Sequence, residues 1–205
     1  MSVLGSMSKV VQRPKSCVTD YPGLGAALVL LAAAAGCGSN ESTGRPRADS
    51  AFARAYPVFM HPRCMNCHPA GDAPLQGERS LVHAQNVQRG PDGKGLLAMK
   101  CAACHQSENV AGLYMPPGNP NWHLPPADMP MVFEGKSARE LALQLKDPKR
   151  NGGKTLAEIL RHVEEDGLVK GCWTPGDGRF KPPISHADFA KSFREWVESG
   201  APDPE

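Results

Sequence analysis

The chain has 205 residues with 23 Lys and Arg against 21 Asp and Glu, a formal charge of +2; a nucleic-acid partner, which would need a concentrated basic face, is not expected. Its 20 prolines and 21 glycines are numerous, yet about a fifth of the chain falls short of the roughly 25–30 % that marks a disordered one. Six Phe, three Trp and three Tyr leave few large side chains for a core.

Residues 1–36 read as an export signal. Lys9, Arg13 and Lys15 precede Gly23–Gly36, an uncharged apolar run of fourteen residues that is too short to span a bilayer. The run ends at Ala34-Ala35-Gly36-Cys37-Gly38, which resembles a bacterial lipobox with Ala34 in the place of the usual Leu; Cys37 is then the lipidation site and first mature residue. Ordinary cleavage near Ala35 is the alternative. Either route delivers the chain to the outer side of the cytoplasmic membrane, the periplasm, with a lipid at Cys37 as its sole hold on the membrane. Loss of 1–36 removes three basic residues and Asp20, leaving 20 of each sign. Residues 37–48 are polar and read as a flexible tether, and 49–205 as one folded domain.

Asp49 or Ser50 is expected to cap a short helix with Phe52, Tyr56 and Phe59 on one face, interrupted at Pro57. It leads into Cys64-Met-Asn-Cys67-His68, a pattern that returns as Cys101-Ala-Ala-Cys104-His105. Residues three and four apart share one face of a helical turn, so two thiols and an imidazole converge on one flat object. Haem c fits this arrangement: each thiol adds across a vinyl group, and the imidazole binds iron. Two haem c groups are therefore expected, on Cys64, Cys67 and His68, and on Cys101, Cys104 and His105. Structural zinc and a thiol redox pair are the other uses of CxxC, and neither calls for a His directly after both pairs. With four cysteines in the motifs, Cys17 in the signal and Cys37 at the lipobox, Cys172 stands apart. It reads as a buried small side chain or, secondarily, a site of intermolecular bonding.

Between the motifs, Gly71–Gly77 reads as loop, Leu81–Val87 as a helical turn and Arg89–Gly95 as a turn cluster, with a short helix from Leu96 into the second motif. Prolines 116, 117, 120, 125, 126 and 130 forbid regular structure over 110–135, which is expected to wrap the second haem. Ser137 with Glu140 and Thr155 with Glu158 are capping boxes that open two helices, the second ended by Gly167. Ser185 caps a last helix carrying Phe189, Phe193, Trp196 and Val197. The expected fold is mostly α: a cytochrome c-like dihaem domain of short helices and long Pro/Gly-rich loops. Two apolar macrocycles would supply much of its core, so the metal-free chain is expected to fold poorly.

A distal His or Met makes each haem a six-coordinate carrier, whereas an open site binds small molecules. His83 trails His68 and His123 trails His105 at similar spacing, a loose internal repeat that suggests bis-histidine coordination. Met115 and Met129, each followed by Pro, are the distal alternatives. His61, His162 and His186, like Met60, Met65 and Met99, read as structural.

Together with the two motifs, four segments carry a family resemblance: HAQNVQRGPDGKG (83–95), NPNWHLPPADMPMVFEGKSARELALQLKDP (119–148), NGGKTLAEILRHV (151–163) and WVESGAP (196–202). Over Tyr56 to Pro202 the chain resembles a family of small bacterial dihaem proteins commonly labelled isoquinoline 1-oxidoreductase subunits. That resemblance implies an electron-accepting partner for a molybdenum hydroxylase. One departure is Leu143-Gln144, where relatives carry a Cys. The chain is expected to be an electron carrier rather than an enzyme, docking on redox proteins. The rival readings are a dihaem peroxidase or reductase with one open haem, and a zinc-stabilised binding module.

Overall fold

The computed structural model describes residues 48–205. The export signal, Cys37 and all of the tether except Ala48 lie outside the described residues. These comprise six α-helices and four two-residue strands, so the domain is mostly α.

Helix α1 (Ala48–Phe59) begins before the expected caps, placing Asp49 and Ser50 inside it, and it continues through Pro57. Pro57 removes one hydrogen bond, but it is exposed and only two residues from the end. Burial of Ala51, Phe52, Ala55, Val58 and Phe59 outweighs that loss. His61 then caps the single turn of α2 (Pro62–Met65), its Nδ1 accepting from the Arg63 N–H at 3.2 Å.

The two stretches expected to be helical between the motifs are so only in part, each opening on a strand and closing in a 3-10 turn. Strands β1 (Leu75–Gln76) and β2 (Leu81–Val82) form one antiparallel ribbon, and β3 (Gly95–Leu96) and β4 (Met99–Lys100) form another. A 3-10 turn spans Ala84–Asn86, and a second, Cys101–Ala103, carries the start of the second motif. Two residue pairs are too few to leave an alternating pattern, which is why the ribbons escape a reading of periodicity. Gly93, just ahead of the second ribbon, lies against Leu124. A Cβ on Gly93 would sit 1.9 Å from the Leu124 carbonyl oxygen, and the Leu124 N–H donates to Gly93 at 2.8 Å.

Both capping boxes form as expected, opening α3 (Ala138–Lys146) and α4 (Leu156–Glu165). Gly167 does not end α4. Asp166 closes that helix and also caps α5 (Gly167–Gly171), accepting from the Leu168 N–H at 2.7 Å. Ser185 caps α6 (His186–Glu198), as its sequence predicts.

The core joins α1, α3, α4 and α6. Phe52 meets Trp196 at 4.7 Å between centroids, and Phe59 packs edge-on to Phe189 at 5.1 Å and to Phe133 at 5.4 Å. Between Met60 and Val132, by contrast, the buried apolar side chains are Leu75, Cys101 and Leu124, with Pro69 and Pro74. Most buried apolar side chains thus lie in the helical half, and the loop-rich half has few. No helix among the described residues is long and apolar enough to cross a membrane.

Candidate functional site

Each motif presents its histidine in the same way. His68 and His105 each share a hydrogen bond of 2.7 Å through Nδ1 with a backbone carbonyl downstream, Met131 and Pro117 respectively. A carbonyl only accepts, so Nδ1 carries the proton and Nε2 keeps its lone pair. Neither Nε2 has a hydrogen-bond partner among the described residues. Each ring is also held flat against an aromatic one: His68 on Phe133 at 3.8 Å and 9°, His105 on Trp122 at 4.0 Å and 8°. This is the posture of a metal-ligating imidazole, with tautomer and orientation set by a partner behind it.

The wrapping segment 110–135 therefore serves both motifs rather than the second alone. Its later part clamps the first, with the Phe133 and Glu134 N–H groups donating to the His68 carbonyl at 2.9 and 3.2 Å. Its earlier part clamps the second through the Asn119 N–H to the Gln106 carbonyl at 2.9 Å.

Three of the four motif thiols are held above their ordinary value and so stay protonated. Burial pushes Cys67 up to about 12 and raises Cys101, while a hydrogen bond with the Cys172 thiol, followed by burial, holds Cys64 well above its ordinary value. A thiol redox pair needs the opposite shift. Cys172 is not isolated: it is half-buried, its thiol donates to the Arg63 carbonyl at 3.2 Å, and it adjoins Cys64. Counting cysteines could not reveal this, because the approach spans 108 residues of chain.

Burial is the main cause that lowers His68, to about 4, and His105 as well; both rings stay neutral, as metal binding requires. The positive charges that His162 and His123 would carry add to the lowering at His68, and that of His83 adds to it at His105. The ring that His83 meets is that of His105, at 6.3 Å between centroids. His83 and His123 each engage a nearby carbonyl through Nδ1, those of Ala84 at 2.8 Å and Asn121 at 2.7 Å. Met115 is exposed, and Met129 is half-buried beside Gly152. Among the structural histidines, His186 bonds the Val163 carbonyl at 2.8 Å, and His162 faces Asp166 at 3.4 Å.

One residue that sequence reading left inside a turn cluster holds the loops together. Arg89 is fully buried, its Nη1 donating to Pro125 at 2.8 Å and Pro130 at 3.4 Å and its Nη2 to Gly71 at 2.9 Å, all backbone carbonyls. Asp72 lies 3.7 Å from its Nε. Its sole sequence signal is an Arg set among turn residues.

Among the described residues no three His, Cys, Asp or Glu side chains converge as a protein-only metal site. A haem iron asks less, because the porphyrin fills four positions and the protein supplies one or two. The apolar surroundings suit such a group: Leu81, Val82, Leu96, Leu97, Met99 and Leu113 are all exposed on the segments flanking His83 and His105. The donor set, the tautomers and this surface fit haem. No family model, curated protein or solved structure matches the chain.

Proposed function

We propose that this chain is an exported single-electron carrier of cytochrome c-like fold that holds two haem c groups, one at each CxxCH motif. The observation that carries the reading is the shared posture of His68 and His105: Nδ1 tied to a carbonyl at 2.7 Å, one face on an aromatic ring, Nε2 free.

Cys64 and Cys67 take one haem, and Cys101 and Cys104 the other. Each thiol adds across a vinyl group, sulfur bonding one carbon and its proton ending on the neighbouring one, so no oxidant is consumed. When bound, each haem supplies a one-electron iron couple. His68 and His105 hold the irons, and Phe133 and Trp122 keep the two rings from turning. Carbonyl bonds behind the imidazoles raise their basicity and favour the oxidised iron. Distal ligands from the set His83, His123, Met115 and Met129 would keep both coordination shells filled, which limits rearrangement when an electron moves. Lipid at Cys37 would tether the carrier on the periplasmic side, where a redox enzyme such as a molybdenum hydroxylase is the partner we propose.

The test is an absorption spectrum of the full chain produced with haem-attachment machinery. Two covalent haems per chain, low-spin in both oxidation states, are expected. A colourless protein overturns the reading, and a high-spin, cyanide-sensitive haem favours the peroxidase or reductase alternative.

A further inference from the structure

The spacing repeat pairs His83 with His68 and His123 with His105, but the fold brings the rings together differently. His83 belongs to the first motif by sequence. It follows ribbon β1–β2, which is pinned to α2 by the Arg63–Glu78 ion pair at 2.8 Å and by the Asn66 side-chain amide on the Gly77 carbonyl at 3.1 Å. The His83 N–H donates to the Pro74 carbonyl at 2.8 Å, fixing its place at the end of β2. From there its ring stands 6.3 Å from the ring of His105, at 66° between planes.

That separation has a chemical meaning. With a metal–nitrogen bond of about 2.0 Å on each side and roughly 1.2 Å from ring centroid to nitrogen, two trans imidazoles on one metal have centroids about 6.4 Å apart, close to the separation seen here. Both rings spend Nδ1 on a backbone carbonyl, so the nitrogen left in each is Nε2. The two rings share no hydrogen bond, and their planes stand at 66°.

We infer that the two halves are cross-ligated, His83 of the first motif's ribbon supplying the sixth ligand to the iron held by His105. This rests on the two-haem reading above and deepens it. The His83–His105 link would also close the loop between the motifs, so filling the second site orders the segment carrying β3 and β4.

The experiment tags one haem at a time in the full chain, produced with haem-attachment machinery. Cys101→Ala leaves the second haem on a single thioether, and its unsaturated vinyl moves the reduced α band to longer wavelength; Cys64→Ala tags the first haem in the same way. In His83→Ala combined with Cys101→Ala, the shifted band is expected to be lost while the unshifted one stays, and added imidazole restores it. In His83→Ala combined with Cys64→Ala, the unshifted band is the one lost. The reverse pattern, or two intact bands in both, overturns the inference while leaving two haems in place. Absence of haem from the parent chain would instead sink the reading beneath it. If His83→Ala does not fold, His83→Met decides, because methionine ligation raises the potential of the tagged or untagged haem it reaches. A rise at the haem on Cys104 supports the crossing, and a rise at the other haem, or at neither, refutes it.

Discussion

Trp122 lies flat on His105, with centroids 4.0 Å apart and planes 8° from parallel, and Phe133 repeats the relationship on His68. The two aromatic rings differ in depth: Phe133 is buried in the main core, while Trp122 is half-exposed. The same contact therefore carries different weight in the two halves.

Phe133→Leu should destabilise the protein by about 1–2 kcal/mol, since it removes part of a packed ring at the junction with Phe59. Trp122→Leu should cost less in stability yet disturb the second iron site as much, because it frees the His105 ring to turn. Chemical denaturation of both variants, with electron paramagnetic resonance of the loaded protein, checks this. Equal denaturation midpoints for the two would contradict it.

Arg89→Lys should be nearly as damaging as Arg89→Met. A lysine offers one nitrogen where the guanidinium reaches Gly71, Pro125 and Pro130 with two, and the abandoned carbonyls remain buried. A loss of about 3 kcal/mol or more is expected in both variants, with early proteolysis between 110 and 135. A lysine variant of parental stability would show that the carbonyl contacts count for little.

Glu140 and Glu158 are held below their ordinary value of 4.5, first by the backbone N–H of Ser137 and Thr155 and then by the cap hydroxyls. A carboxyl depressed in the folded state adds stability above its unfolded value, and that stability is lost as pH falls through the folded one. The thermal midpoint should therefore drop between about pH 5 and pH 3. It should drop less steeply in Glu140→Gln with Glu158→Gln, which keeps a capping group but removes the titration. Parallel pH profiles for parent and double variant would exclude the effect.

Protein made without haem should keep its helical half and loosen between the motifs. Hydrogen exchange should find slow amides in α1, α3, α4 and α6, where the aromatic core lies, and fast ones from Leu75 to Pro130. Haem attachment should slow the second group by far more than the first. Uniform protection in the haem-free protein would mean that the ribbons and Arg89 suffice by themselves.

What the sequence determined by itself was local. Two thiols and an imidazole within one turn, Ser137 with Glu140, Thr155 with Glu158, and the apolar face of α6 are each written in residues a few positions apart. Their chemistry therefore shows in the residue types. The tertiary structure decided which group stands behind each imidazole and which histidine meets His105. The acceptors for His68 and His105 are the backbone carbonyls of Met131 and Pro117. Every residue has such a carbonyl, so no residue type announces one. The approach of His83 to His105 likewise depends on where a two-pair ribbon points, a direction set by Arg63, Glu78 and Asn66 acting across a turn. Position along the chain paired His83 with the motif before it; packing, which answers to distance in space, paired it with the motif after.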